Sequence, residues 1–297
     1  MMPDLLTEAD EAASRSAKAA GVVIRELDTL AELDAMIALF DEIWEPEDGN
    51  PSLRLDMVRA MTKAGNYATG AYDLASGELL GACVGFFGPP ARAELHSHIA
   101  GVRAAGLGRS VGFALKVHQR AWCLRRDVRV IAWTYDPLIR RNAYFNMVKL
   151  GARPVEYLRN FYGTMDDAIN GGTETDRMLV HWDLRSDLAA AACAGQGQAA
   201  SFGAERESGA AVALSADRGG APLDGLALDG PALGGAKTVL VAVPADIEAM
   251  RLSDPALAGA WRTALRVALS PLLDAGGRVT GFDKNGWYVV SLGGDDR

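Results

Sequence analysis

The hydrophobic positions of the chain recur with periods that separate helices from strands between residues 21 and 184. Leu33, Ile37, Phe40 and Trp44 recur at helical spacing, whereas short apolar runs bounded by glycine and proline indicate strands. The pattern predicts helices at 30–44, 52–65, 111–120 and 138–150. It predicts strands at 21–27, 67–72, 79–87, 94–102, 128–134, 154–162 and 177–184, with a helical turn at 164–170.

The rest of the chain predicts three further segments around this domain of residues 21–185. Residues 1–20 are polar and alanine-rich, which predicts a flexible N-terminal arm. Residues 186–236 are dominated by Ala, Gly, Ser and Asp and contain one aromatic residue, so we expect a flexible linker. Residues 237–297 predict a β-α-β-β extension that packs on the first domain, with a strand at 237–243, a helix at 254–273 and a hairpin of 278–283 with 287–292 across an Asn-Gly turn.

Composition narrows the class of protein. The chain has 297 residues, of which 49% are hydrophobic and 23% are charged, as in soluble globular proteins. It lacks an apolar run of the roughly 20 residues that span a bilayer, and its acidic start is unlike a signal peptide. The three cysteines form neither a metal pattern nor a disulfide pattern. We therefore expect a cytoplasmic protein that has no metal and no membrane partner.

The charges are unevenly distributed along the chain. Residues 1–50 carry 13 acidic and 3 basic side chains, whereas residues 101–160 carry 12 basic and 3 acidic ones. The basic block predicts a locally positive field that attracts a small polyanion. The overall net charge of −8 disfavours a nucleic-acid partner.

A glycine loop within the basic block is the strongest motif. Arg103-x-x-Gly106-x-Gly108 follows a predicted strand directly and precedes a predicted helix, which carries Lys116 and Arg120 on its polar side. Backbone amides at such a helix start bind phosphate. A dinucleotide fingerprint fits poorly because the third glycine, Gly112, comes one position late, and a P-loop fails because no Gly-Lys-Ser/Thr follows. The two glycines could also form a tight turn without a ligand.

The motif and the order of elements around it resemble the GNAT superfamily of acyl-CoA N-acyltransferases over residues 21–184. Further segments that resemble a subgroup of predicted acetyltransferases in this superfamily are LHSHIAGV (95–102), WTYDPL (133–138), NAYFNMVKLGA (142–152) and DRMLVHWDL (176–184). The resemblance implies an α+β fold of the three-layer type, with a mixed, mostly antiparallel central sheet flanked by helices. It also implies acetyl-CoA, or another acyl-CoA such as succinyl-CoA, as co-substrate.

The resemblance implies a binding site for coenzyme A that can also be argued from the residues. Loop amides would hold the pyrophosphate, the two glycines would let the backbone approach it, and the arginines would add charge. The pantetheine arm would pair with backbone groups of Ala100 and Val102, and Asn142 could also bind it. The predicted loop residues are Arg103, Ala104, Ala105, Gly106, Leu107, Gly108, Arg109 and Ser110.

Acyl transfer to an amine needs a base and an acid, and the sequence offers several candidates for each. His96 and His98 alternate along one strand and therefore share a sheet face, where Glu94 also lies. They could instead be a hydrogen-bonded core pair. Asp136 could act as a base or could cap the following helix. The family's usual tyrosine acid is replaced by Met147, so Tyr144, one turn earlier, is the substitute unless it only packs in the core.

The sequence therefore predicts an acyl-CoA-dependent N-acyltransferase. It would move an acetyl or succinyl group directly from CoA to a primary amine of a small molecule or an amino acid. The alternative is a non-catalytic CoA-binding or regulatory protein of the same fold. The sequence also leaves a homodimer open.

Overall fold

The chain forms two compact units. The computed structural model describes residues 2–46, 51–163, 174–224 and 235–293, so the predicted helical turn at 164–170 lies outside the described residues. The first unit contains Met1–Trp133 and Trp182–Gln196, and the second contains Thr134–His181 and Gly197–Arg297.

A mixed sheet forms the centre of the first unit. Its strands are β1 (Val22–Glu26), β2 (Tyr67–Asp73), β3 (Leu79–Phe87), β4 (Glu94–Val102) and β5 (Val130–Tyr135), whose last two residues belong to the second unit. The strands lie in the order β1-β2-β3-β4-β5. The first four are antiparallel neighbours, and β4 pairs with β5 in parallel. The predicted fold class, a mixed and mostly antiparallel sheet flanked by helices, is confirmed.

Helices cover both faces of this sheet. They are α1 (Met2–Ala20), α2 (Leu30–Trp44), α3 (Leu55–Lys63) and α4 (Val111–Leu124). A capping box of Thr29 and Glu32 begins α2. On one face, α2 packs its buried side chains, among them Leu33 and Phe40, into an apolar cluster with residues of β2 and β3. On the other face, α4 packs against the sheet, and the Tyr67 hydroxyl lies 3.0 Å from His118 Nδ1.

The second unit contains a strand pair and a five-stranded sheet. The pair is antiparallel and consists of β6 (Arg153–Leu158) and β7 (Arg177–Asp183), whose last two residues belong to the first unit. Between β5 and β6, the chain forms the short helix α5 (Arg140–Tyr144) and a π-helical turn, Phe145–Lys149. The five-stranded sheet has the order β11-β12-β10-β8-β9, with β8 and β10 parallel.

The remaining elements lie at 187–293. They are α6 (Asp187–Cys193) in the first unit and, in the second, α7 (Phe202–Glu207), β8 (Ala211–Ala216), β9 (Pro222–Asp224), β10 (Thr238–Ala242), α8 (Ile247–Ser253), α9 (Pro255–Asp274), β11 (Arg278–Asp283) and β12 (Trp287–Ser291). None of the helices in the described parts of the chain combines the length and apolar character needed to cross a bilayer.

The predicted flexible segments are corrected by the structure. Residues 2–20 form helix α1, which buries Ala9 and Ala12 and pairs Glu8 with Arg120 of α4. The predicted linker at 186–236 contains α6, α7, β8 and β9, while its residues 225–234 lie outside the described part. Composition was misleading because alanine is both a common residue of linkers and the best helix former.

Two predicted helices also differ from the observed ones. The helix expected at 138–150 is instead α5 followed by the π-helical turn. The helix expected at 254–273 is α9, and the shorter α8 precedes it, so the extension has the order β-α-α-β-β. Asp254 separates these two helices because its side chain accepts a hydrogen bond from the Leu257 amide and Pro255 follows it.

Candidate functional site

The loop between β4 and α4 presents backbone amides that lack protein acceptors. A short 3₁₀ turn, Ala104–Gly106, follows β4, and Ser110 caps α4 with a left-handed backbone at a φ of 63°. Within the described residues, the amides of Gly108, Ser110, Val111 and Gly112 donate to no protein acceptor. These amides lie at the positive end of the α4 dipole, which favours an anion.

Not every amide of the predicted loop is available. The Gly106 amide donates to the Arg103 carbonyl over 2.9 Å, and the Leu107 amide donates to the Ala104 carbonyl over 3.1 Å. The Arg109 amide donates to the Gly106 carbonyl over a longer 3.4 Å. The amides without protein acceptors therefore begin at Gly108 and continue into the first turn of α4, whereas the predicted ligand amides were those of residues 104–110.

The two glycines have different roles, which corrects the prediction that both allow close approach of a phosphate. A Cβ at Gly106 would lie 2.7 Å from Val102 Cγ1, so Gly106 is needed for packing of the loop against β4. Gly108 has a φ of 77°, and a Cβ there would meet no atom within 4 Å. Gly108 is therefore required by its backbone conformation and lies on the open side of the loop.

The two loop arginines differ in their availability. Arg103 donates to Glu42 over 2.8 Å, while its buried Nε has no hydrogen-bond partner among the described residues. Arg109 pairs with Asp73 and donates to the carbonyls of Ala20 and Gly21 over 3.1 and 3.2 Å. The guanidinium of Arg109 thus caps the end of α1 and is not a free phosphate ligand, contrary to the prediction.

The predicted positive field is largely neutralised in the fold. Four arginines of the basic block pair with acidic side chains from the first 50 residues. These pairs are Arg103–Glu42, Arg120–Glu8, Arg125–Asp10 and Arg126–Glu26. The acidic first 50 residues and the basic block of residues 101–160 therefore complement each other in the fold.

The edge of β4 next to the loop carries backbone groups that do not bond to β3. The Arg103 amide donates to the Leu80 carbonyl, and this register directs the backbone groups of Ala100 and Val102 away from β3. In the described residues, β4 pairs with β5 only from Glu94 to His96. Ala100 is exposed and Val102 is half-buried. The backbone groups of both residues are consequently available to a ligand that pairs like a strand, as predicted.

His96 and His98 lie on one face of β4, as their spacing predicts. Their ring centroids lie 5.0 and 5.8 Å from that of Phe86 and 6.1 Å from each other. His98 is the additional residue of a β-bulge, because Val84 pairs with Ile99 and Gly85 pairs with Ser97. Neither histidine makes a side-chain hydrogen bond within the described part of the chain. The alternative of a hydrogen-bonded core pair is therefore wrong.

The ring environment keeps both histidines neutral near pH 7. Burial, with smaller contributions from His98 and Lys116, lowers the pKa of His96 to about 4. Partial burial also lowers the pKa of His98, although this residue is exposed at the surface and solvent screens the effect. His98 is thus the more accessible of the two to solvent.

Asp136 lies in the second unit and is held by two arginines. Arg262 donates to both of its carboxylate oxygens, over 2.8 and 2.6 Å, and Arg251 pairs with it as well. The Leu138 amide also donates to Asp136 Oδ1 over 3.0 Å. Burial opposes ionisation, yet the two guanidinium groups hold the pKa of this carboxyl well below its usual range. Asp136 is therefore a structural anion and caps the turn before α5, which contradicts its predicted role as a base.

The other predicted residues of the second unit lie on α5 and the π-helical turn after it. Asn142 and Tyr144 are half-buried on α5, whereas Met147 is buried in the π-helical turn. Helical turns of this kind occur frequently at functional sites. The contacts of Asn142 and Tyr144 assign them no role, so their predicted functions stay predictions.

The sequence predicted that Lys116 and Arg120 lie on the polar side of α4, whereas the structure buries both of them. Arg120 is fully buried between Glu8 and the Leu184 carbonyl. Lys116 is 5% exposed and donates to Ser97 Oγ over 3.0 Å and to Gln119 Oε1 over 2.8 Å. One signal was available in the sequence: α4 contains no acidic residue that could pair with these cations on an exposed face.

In the described residues, the cysteines do not form a nucleophilic site, and the residue types that bind metals do not form a metal site. All three cysteines are free and buried, and burial raises the pKa of each thiol. None of them therefore has the thiolate character of a nucleophile. Across the described ranges, no group of three or more His, Cys, Asp or Glu side chains is arranged to hold a metal ion.

No protein-family model matches the chain, and no curated protein matches it. Solved structures to which the chain is similar include several N-acetyltransferases. The ribosomal-protein-S18-alanine N-acetyltransferase of Escherichia coli is 15% identical over 56% of this chain and 95% of its own, with a TM-score of 0.45. The ribosomal-protein-alanine N-acetyltransferase of Brucella melitensis is 16% identical over 54% and 99%, with a TM-score of 0.45.

An aminoglycoside 6'-N-acetyltransferase complexed with coenzyme A is 17% identical over 55% of this chain and 98% of its own, with a TM-score of 0.43. At these values, the likeness decides neither the activity nor the substrate of this chain.

Proposed function

We propose that the protein is an acyl-CoA-dependent N-acyltransferase that binds coenzyme A along β4 and at the start of α4. The observation that carries this proposal is the set of amides of Gly108, Ser110, Val111 and Gly112, which have no acceptor among the described residues. They lie next to the backbone groups of Ala100 and Val102, which are likewise unpaired in the described part of the chain. The first set suits a pyrophosphate, and the second suits the two amides of a pantetheine arm. A single ligand that needs both is an acyl-CoA.

The binding energy comes mainly from charge-assisted hydrogen bonds. Each bond from a loop amide to a phosphate oxygen contributes about 1.5–3 kcal/mol, more than a neutral bond does. The buried Nε of Arg103 gives one further donor that a phosphate could satisfy. Arg109 contributes indirectly, because it fixes the loop to α1 and β2 through Ala20, Gly21 and Asp73.

The chemistry is the direct attack of an amine on the thioester carbonyl. An alkylammonium has a pKa near 10, far above the value of about 4 for His96, so this imidazole cannot take a proton from the ammonium form to any useful extent. His96 and His98 instead accept a hydrogen bond from the neutral amine and take the more acidic proton of the tetrahedral intermediate. Positioning of the two reactants supplies most of the rate, up to roughly 7–11 kcal/mol.

We further propose a small-molecule amine or an amino acid as acceptor, an acetyl or succinyl donor, and a cytoplasmic location without a nucleic-acid partner. Asn142 as a pantetheine ligand is part of this proposal through the family resemblance alone, and on the same ground Tyr144 is one candidate for the acid. Asp136 has no catalytic role in this proposal because both of its carboxylate oxygens accept hydrogen bonds from guanidinium groups.

A thiol-release assay tests the proposal. Acetyl-CoA and succinyl-CoA are offered with a panel of primary amines, and free CoA is measured over time. We expect amine-dependent release with at least one donor. Tight CoA binding without turnover on any amine would favour the alternative, a non-catalytic CoA-binding or regulatory protein.

Single substitutions of the histidines test their role in the same assay. We expect His98→Ala to lower the rate and to alter its pH profile, and His96→Ala to have the smaller effect because burial already suppresses its basicity. If neither substitution changes the rate or the profile, both histidines serve only to pack against Phe86.

A further inference from the structure

The proposed mechanism gives no role to the buried ammonium of Lys116. Lys116 lies on α4, and its ammonium contacts Ser97 Oγ, Gln119 Oε1 and the ring of Trp133, whose centroid is 3.9 Å from Nζ. In the described part of the chain, no carboxylate lies within ion-pair distance of it. A buried lysine without an anionic partner is costly, so its presence calls for a function or a compensating contact.

The position of Lys116 coincides with the end of the pairing between β4 and β5. The last paired residues are His96 and Ala132. Ser97 follows His96 on β4, and Trp133 follows Ala132 on β5. Lys116 Nζ contacts both of these side chains. We call this point the junction and define it by Ser97, Trp133 and Lys116.

The length of the pantetheine arm brings the thioester to the junction. The arm has about a dozen chain bonds, which span about 14 Å when extended at the reach of a polypeptide backbone. A strand rises about 3.3 Å per residue. An arm that starts beside Val102 and runs along β4 toward its N-terminal end therefore ends beside His98, next to Ser97. The β-bulge at His98 further distorts β4 at this point.

We propose that Lys116 is the general acid that protonates the departing CoA sulfur at the junction, a role that rests on the proposed acyl transfer. The amine nitrogen forms a bond to the thioester carbon, and the C–S bond then breaks with its electron pair remaining on sulfur. The Lys116 ammonium transfers one proton to that sulfur, which yields the CoA thiol and a neutral lysine. The attacking nitrogen loses one proton when it becomes the amide nitrogen, and this proton restores the Lys116 ammonium. The reaction as a whole therefore releases one proton, which is the proton that the substrate ammonium loses before the attack.

The environment of Lys116 suits this task. Burial lowers its pKa to about 8, close to the value of about 8.5 for a thiol. The groups that face it are neutral at pH 7: Ser97 and His96 on β4, Cys83 on β3, Gln119 and Cys123 on α4, and Trp133 on β5. Glu8 of α1 pairs with Arg120 instead. Lys116 is therefore mostly protonated near neutral pH, yet it can release its proton. It also supplies an acid although Met147 occupies the family's usual tyrosine position.

The test compares Lys116→Met and Lys116→Arg with a matched control, Lys63→Met, at an exposed lysine of α3. Single-turnover acyl transfer is measured from pH 6 to 10, and the CoA dissociation constant is measured by calorimetry. For the wild type, we expect the rate to fall above about pH 8, as Lys116 loses its proton. In both variants at position 116, the rate should no longer fall above about pH 8. It should also be about 10²-fold lower than in the wild type, as expected when a general acid is removed. CoA affinity should change less than threefold.

The outcomes separate this inference from the proposed function. A wild type that does not bind CoA or does not turn over overturns the proposed function itself. An active wild type whose Lys116 variants keep both the rate and the fall above pH 8 overturns the role of Lys116. The same conclusion follows if Tyr144→Phe alone removes the fall.

Lys116→Arg decides the question if Lys116→Met does not fold, because arginine keeps the charge and the donors but cannot release a proton. A rate and pH profile like those of the wild type in Lys116→Arg would overturn the proposed role.

Discussion

Replacement of Gly108 by alanine tests the loop with little change to its packing. Gly108 has a φ of 77°, and a Cβ there would meet no atom of the described residues within 4 Å, so the substitution introduces no clash with them. It costs about 1–2 kcal/mol because an L-residue disfavours the left-handed region. The loop can lower this cost by a change of its backbone angles, which turns the amides of Gly108 and the residues after it away from their common direction.

The expected effect on CoA binding follows from the number of hydrogen bonds between loop amides and phosphate that are lost. Loss of one charge-assisted hydrogen bond to a phosphate removes about 1.5–3 kcal/mol. That loss corresponds to an increase of about 10-fold to 150-fold in the dissociation constant of CoA. Isothermal titration calorimetry with CoA measures this change directly.

Gly65→Ala is the matched control. Gly65 follows α3 and has a φ of 87°, and a Cβ there would also meet no atom within 4 Å. The two variants should lose similar thermal stability, while Gly65→Ala should bind CoA within about twofold of the wild type. A Gly108→Ala protein that is folded and binds CoA as tightly as the Gly65→Ala protein would refute the assignment of the loop.

Three further predictions concern stability and reactivity. Asp136→Asn should lower the free energy of unfolding by about 3–5 kcal/mol, because it leaves Arg262 buried without its anion. The carboxyl pKa is lowered in the folded state, so the wild type should lose this stabilisation as the pH falls below about 4, and the variant should lose less in urea titrations. Glu8→Ala should cost about 3 kcal/mol, because Arg120 is fully buried. The three buried thiols should react with a disulfide reagent only on unfolding.

Each of these predictions has a control or a contradicting result. Glu11→Ala removes an exposed pair with Arg15 and should cost less than about 1 kcal/mol. Equal losses for Glu8→Ala and Glu11→Ala would contradict the packing of α1 on α4. An unchanged acid transition in Asp136→Asn would mean that the pair with Arg262 does not stabilise the folded state. Rapid labelling of the native protein would show that at least one cysteine is accessible.

Local sequence signals predicted the elements from β1 to β5 well. The hydrophobic period placed α2 correctly, and the capping box of Thr29 and Glu32 at its start involves residues only three positions apart. The strand–glycine loop–helix pattern likewise predicted the order of β4 and α4. These features depend on neighbours within a few residues, so the sequence alone contains the information that determines them.

The errors concern contacts between distant parts of the chain. The acidic first 50 residues and the basic block looked like two separate surfaces, because a sequence does not show that Glu8 pairs with Arg120 or that Glu42 pairs with Arg103. The same limitation hid the burial of Lys116, since α1 and the sheet cover α4 on both sides. Ser186 was a local signal that was missed: its side chain caps α6 inside the predicted linker.

Amide hydrogen exchange with and without CoA tests the central claim most directly. We predict that CoA slows exchange at the amides of Ala100, Val102, Gly108, Ser110 and Gly112, because each gains an acceptor from the ligand. The Gly106 amide, which already donates to the Arg103 carbonyl, should change little. Protection confined to other parts of the chain, with these five amides exchanging as in the free protein, would contradict the proposed binding of acyl-CoA along β4 and the start of α4.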